Sequence, residues 1–155
     1  MQPPAAAPDR AAFAQNLGAE LTAYVELCEL LRAEQGSLER GDVDSLEQLT
    51  ERKAHQVERL VTLGATRVAF LRAARLSIDT KGMEAWLESH AGTQRQDLTR
   101  IWQRLLDTAR EARALNDLNG RLVSARLGHS QAALAALQGA GRAQLVYGPD
   151  GRVRY

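Results

Sequence analysis

Leu98-Thr-Arg-Ile-Trp-Gln-Arg-Leu-Leu-Asp-Thr-Ala-Arg-Glu-Ala-Arg-Ala-Leu-Asn-Asp-Leu-Asn-Gly-Arg-Leu122 returns to an apolar residue every three or four positions. Leu98, Ile101, Trp102, Leu105, Ala109, Ala112, Leu115, Leu118 and Leu122 would share one helical face, because such steps bracket a single turn. The period persists loosely through Leu127, Leu134 and Leu137, and Thr93 with Gln96 makes a capping-box pair at the start. The spacing predicts a helix over 93–138, about 68 Å long if unbroken.

Upstream, Pro8-Asp9 offers a start, and Phe13, Leu17, Leu21, Tyr24, Leu27, Leu31 and Leu38 mark a first amphipathic helix that stops near Gly41. Asp44, three residues before Glu47, signals a second start. Leu46, Leu49, Val57, Leu60, Val61, Val68 and Leu71 then line a helix running to about Arg75. Two helices of similar length around a Gly41-Asp42 loop imply an antiparallel hairpin. Met83-Glu-Ala-Trp-Leu87, after Asp79-Thr80, fits a short helix. The fold class is therefore all-α: an antiparallel helical bundle of about three long helices plus one short helix, with a flexible C-terminal tail. Residues 1–8 are expected to be disordered, 9–138 to form the bundle and 139–155 a mobile docking tail.

Composition agrees with one soluble domain. The 155 residues are 45% hydrophobic and 25% charged, and only 5% aromatic, so leucine, alanine and valine must fill the core. The net charge of +1 hides an asymmetry: residues 1–50 carry nine acids against Arg10, Arg32 and Arg40, whereas from Arg121 onward five arginines face Asp150 alone. Cys28, the single cysteine, sits among Leu27, Leu30 and Leu31 and reads as a small buried hydrophobe. No apolar run is long enough to span a bilayer, and the start lacks a secretory pattern, so a cytoplasmic protein without direct membrane insertion is expected.

The predicted last helix outruns the hairpin, which covers only roughly 45–50 Å. The excess falls near 127–138, where Leu127, Ala133, Leu134 and Leu137 give an apolar character suited to a partner. The competing reading is a segment that folds back or frays at Gly128 or Gly139. Between bundle and overhang lie Asn116, Asn119 and Gly120, all weak helix formers. They read either as a polar layer fixing register or, at Asn119-Gly120, as a hinge. Beyond Gly139-Ala-Gly141 the helical pattern ends, and Leu145-Val-Tyr147 and Arg152-Val-Arg-Tyr155 flank the turn Gly148-Pro-Asp-Gly151. A lone hairpin of that kind is marginal unless it docks.

Catalytic apparatus is not visible, and no cofactor is implied. None of His55, His90 or His129 follows a glutamate by three residues, and phosphate-loop, nucleophile-elbow and zinc spacings are missing. The last helix carries Arg95, Arg100, Arg104, Arg110, Arg113, Arg121 and Arg126, yet Asp97, Asp107, Glu111 and Asp117 are interspersed and the one aromatic residue among them, Trp102, falls on the apolar face rather than interleaving with the arginines as a stacking platform. That argues against a nucleic-acid partner.

Leu115-Asn-Asp-Leu-Asn-Gly-Arg-Leu-Val123, then Gln131-Ala-Ala-Leu-Ala-Ala-Leu137, then Leu145-Val-Tyr-Gly-Pro-Asp-Gly-Arg152 resembles the flagellar export chaperone FlgN family. An Asn-Gly helix segment, a Gln-x-Ala-Leu stretch and a Tyr-Gly-x-Asp-Gly tail occur there in this order. One departure is Val146, which separates Leu145 from Tyr147. The resemblance implies a cytosolic type III export chaperone for hook-filament junction (hook-associated) proteins, binding their C-terminal segments and passing them to the cytosolic domain of the export gate. It also implies that Leu145, Tyr147, Gly148, Asp150 and Gly151 form the gate-docking element, with Tyr147 at its centre. Client binding is expected at Leu127, Ala133, Leu134 and Leu137. The alternatives are a structural coiled-coil adaptor and a nucleic-acid-binding bundle; the sequence does not set the oligomeric state.

Overall fold

A computed structural model describes residues 7–146, with side chains over 10–139. Helix α1 spans Ala7–Arg40, α2 Val43–Ala73, α3 Thr80–His90 and α4 Arg95–Val146, with a short 3-10 turn at Gly92–Gln94 before α4. No strand occurs among the described residues, and the expected three long helices and one short helix are all present. Of the start expected to be disordered, residues 1–8, Ala7 and Pro8 belong to α1 and residues 1–6 lie outside the described residues, as do residues 147–155 of the expected tail.

Helix α1 is the axis of the molecule. It packs along both α2 and α4, whereas the backbones of α2 and α4 stay apart. Near its start the Arg10 Nε donates to the His90 carbonyl at 2.6 Å, and near its end the Arg126 guanidinium donates to the Glu39 carbonyl at 2.8 Å. Helix α4 thus runs parallel to α1, and α2 runs antiparallel to both.

The widest part of the core lies at the α3 end, where Phe13, Leu17 and Leu21 meet Leu71, Met83, Trp86, Leu87, Leu98, Trp102 and Leu105. Phe13 sits edge-on to Trp86 with ring centroids 4.2 Å apart, a favoured aromatic geometry. A narrower cluster follows, with Leu27, Cys28, Leu31 and Ala112. Cys28 is buried as expected, its thiol directed at the Thr108 carbonyl at 3.5 Å. Burial raises its pKa, Glu111 adds to that and Arg32 opposes it, so the group behaves as core rather than as a nucleophile.

The corners follow from turn chemistry. At the end of α1 the Asp42 N–H donates to the Ser37 carbonyl and the Gly41 N–H to the Leu38 carbonyl, with Gly41 at φ +71°. That is a Schellman ending, which glycine makes without strain. The second helix starts at Asp42, two residues before the expected Asp44, because the Asp42 carboxylate accepts from both the Ser45 N–H and hydroxyl. The same ending closes α2, but there Arg75 takes the left-handed conformation at φ +59°. Asp79 caps α3 by accepting from the Gly82 N–H at 3.0 Å. Before α4 the Gly92–Gln94 turn takes the place of the expected Thr93 cap, and α4 begins at Arg95.

Two further expectations are corrected. Val57 and Val61 are 44% and 67% exposed, so they do not belong to the face of α2 that meets α1. Nor does α4 end near Gln138; it continues to Val146 and takes in Leu145, which was expected in a strand. Six alanines between Ala132 and Ala143 supply the strongest intrinsic helix preference, enough to carry the helix through Gly128, Gly139 and Gly141.

Gly82 is required by close approach, since a Cβ there would lie 1.6 Å from the Ser77 carbonyl oxygen. Gly82→Ala should lower the unfolding free energy by at least about 2 kcal/mol in chemical denaturation. The pKa of Asp79 is lowered by hydrogen bonds from the Ser77 hydroxyl and then the Gly82 N–H, and that of Asp42 by Ser45. Their stabilising contribution is complete above the ordinary carboxylate pKa and is lost as pH falls through the depressed folded values. Asp79→Asn, which keeps the acceptor and removes the titration, should flatten the acid limb of the Tm profile below about pH 4.

Candidate functional site

Polar side chains, rather than the expected valines, line much of the seam between α1 and α2. Glu20, 2% exposed at its side chain, accepts from the Arg67 Nε at 3.0 Å and from its terminal nitrogen at 3.2 Å. The Arg67 guanidinium also lies 5.3 Å from the centre of the Trp102 ring, which ties α4 to the pair. Two heptads further along α1, Glu34 accepts from the Lys53 ammonium at 2.6 Å and from the Asn119 amide at 2.8 Å. The same amide donates to the Leu31 carbonyl at 2.8 Å. Asn119 therefore sits in a polar layer that joins all three long helices, the register-fixing alternative of the sequence reading. The sequence carried a signal that went unused: Glu20 and Glu34 have the same separation as Lys53 and Arg67, with opposite sign.

Beyond this layer α4 leaves the bundle. Arg126 touches the end of α1, and from there to Val146 the helix has no neighbour along which to pack among the described residues. Val123, Leu127, Leu134 and Leu137 are 50%, 58%, 57% and 71% exposed. Successive helical residues turn by about 100°, so these four fall within an arc of about 80°. The arc is centred near the direction of Leu105, Ala112 and Asn119, the residues with which α4 faces α1. The free stripe is the core stripe of α4 prolonged past the end of its partner.

Of the expected client-binding residues, Leu127, Leu134 and Leu137 lie on that stripe, and Ala133 is exposed on its flank. Val123 joins them although it was not among the candidates; its place four residues before Leu127 was the signal. Gly120 lies inside an unbroken helix. Leu145 lies within α4, whereas Tyr147, Gly148, Asp150 and Gly151 lie outside the described residues. Between Asp117 and Asp150 the chain has no acid, and Arg121, Arg126 and Arg142 make this stretch basic.

A family model described as FlgN protein matches residues 9–154. The chain belongs to the FlgN family. Among solved structures it is similar to a flagella synthesis protein FlgN of Pseudomonas aeruginosa, with a TM-score of 0.65 and 23% identity over 70% of this chain and 84% of that one. At such identity the likeness speaks for the fold. No curated protein matches. FlgN membership supports a general role for the chain as a flagellar export chaperone that binds flagellar proteins.

Other surfaces of this FlgN-family chain are less suggestive. Arg95, Arg100 and Arg110 of α4 pair with Glu88, Asp97 and Asp107. Those contacts fit a solvated face. Among the described residues no helix is long and apolar enough to cross a membrane.

The Asn119-Gly120 pair offers opposite outcomes in one measurement. Asn119→Ala should cost about 1–3 kcal/mol of unfolding free energy, because a buried amide bridge between helices is lost. A Cβ on Gly120 meets nothing within 4 Å, so Gly120→Ala should add about 0.5–1 kcal/mol. A Gly120→Ala protein that is more stable yet defective in partner capture would mark the position as a hinge.

Proposed function

We propose that this FlgN-family chain captures the C-terminal helical segments of hook-filament junction (hook-associated) proteins on the free stripe of α4. It keeps them from assembling prematurely and delivers them to the cytosolic domain of the flagellar export gate through the segment around Tyr147. The observation that carries this reading is the prolonged core stripe, which presents Leu127, Leu134 and Leu137 past the end of α1, with half-exposed Val123 at its near edge. An incoming amphipathic helix takes the place that α1 holds lower down, a helix-in-groove contact. The family match runs through the tail to residue 154, which supports assigning Leu145, Tyr147, Gly148, Asp150 and Gly151 to the docking step.

The energetics suit a carrier that must let go. Covering a leucine-sized side chain is worth about 1.5–3 kcal/mol, so the stripe supplies most of the roughly −8 kcal/mol of a micromolar complex before ordering costs are subtracted. Leu134→Asp should weaken capture of a hook-filament junction protein at least about ten-fold, a change of about 1.4 kcal/mol, with the circular dichroism spectrum unchanged. Undiminished affinity would reject the stripe as the site. A chain truncated after Val146 keeps all of α4 and should capture the client in a pull-down while failing to bind the gate domain; loss of client capture would sink the division of labour.

A further inference from the structure

Near the tip of the α1–α2 hairpin a cleft of about 340 Å³ opens between the two helices, with Arg32, Arg40 and Arg52 around it and Ser37, Gln48 and Gly36 in its walls. We propose that this cleft binds a carboxylate-bearing peptide segment of a protein partner, held between the Arg40 and Arg52 guanidiniums. Charge segregation is the first argument. Residues 1–50 carry nine acids and three arginines, yet two of those arginines line the cleft, Arg52 joins them from α2, and no acid lines it. Arg32 is held by Glu111 of α4, whereas Arg40 and Arg52 make no ion pair among the described residues. The Asp42 carboxylate, bonded to Ser45 at the edge of the cleft, offsets Arg40 in part without forming an ion pair with it, and cations gathered in this way still favour a further anion.

The position of Arg40 is the second argument. A basic residue in the last turn of a helix ordinarily serves the free carbonyls there. In α1 that task is taken by others: Arg126 donates to the Glu39 carbonyl, and the Gly41 and Asp42 N–H groups donate to those of Leu38 and Ser37. Arg40 instead lies back over Gly36, where a Cβ would come within 3.1 Å of its guanidinium. The volume, roughly ten water molecules' worth, exceeds what one small anion fills. Ala33 and Leu49 offer apolar wall to the stem of a glutamate, and two guanidiniums on different helices match carboxylate oxygens by paired hydrogen bonds.

The cleft shares no residue with the α4 stripe, so the two readings stand or fall separately. The test uses the full chain labelled with nitrogen-15 and follows the arginine Nε–H resonances during titration with an acetylated, amidated hexaglutamate peptide and, separately, with inorganic phosphate. Saturable shifts at Arg40 and Arg52 with the peptide are expected, with affinity at least ten-fold weaker in the Arg40→Gln, Arg52→Gln double variant and an unchanged circular dichroism spectrum. Shifts that do not saturate, equal affinity in the double variant, or phosphate matching the peptide would overturn the proposal.

Discussion

Glu34 is the point at which all three long helices are tied together. Helix α1 has a neighbour on two flanks, so a carboxylate buried on it must be satisfied from one side or both, and Glu34 receives Lys53 from α2 and Asn119 from α4. Glu20 repeats the arrangement two heptads earlier with Arg67 and, through it, Trp102. Such pairs add little net stability over an apolar seam, but a buried carboxylate deprived of its partner costs about 3–5 kcal/mol. Their value is positional. Sliding α2 by one turn would part Lys53 from Glu34 and Arg67 from Glu20, while Leu27 and Leu60, between the two rungs, would lose each other's cluster. One register is therefore strongly preferred.

A hairpin fixed in this way also fixes where α1 ends. The Schellman turn at Gly41 closes α1 at Arg40, and Arg126 meets that end from α4. No such signal acts on α4 there. Its alanine-rich sequence favours helix up to Val146, so the two parallel helices part company because one has a stop and the other has none. The overhang is a consequence of local propensity acting on a bundle whose length is set elsewhere.

Much of this was legible in the sequence. Leucines at three- and four-residue steps placed α1 and the bundle part of α4, and the Gly41-Asp42 corner gave the hairpin. The face of α2 was misread because the periodicity argument counts apolar residues, and α2 meets α1 through Lys53, Gln56 and Arg67 as much as through leucine. Val57 and Val61 kept the period without the burial. The C-terminal limit of α4 lies beyond Gly139 for a related reason: a run of alanines outweighs the glycine as a terminator. For the candidate site, the overhang followed from comparing helix lengths. Its alignment with the core stripe did not, because that depends on which face of α4 meets α1.

That alignment constrains the chemistry of anything that binds there. A stripe evolved only for a partner could point in any direction, but this one prolongs the line of Leu105, Ala112 and Asn119, so its occupant must lie roughly end to end with α1. It must therefore present an apolar seam like that of α1. The acid-free, arginine-bearing surroundings between Asp117 and Asp150 favour an occupant whose flanks are acidic, as the flanks of α1 are. Where the stripe leaves the bundle, the Arg126 guanidinium and the last turn of α1 limit how far such a helix can descend. A contact made there would be short, a few leucine-sized side chains long, and a short apolar contact between helices is one that can be made and released.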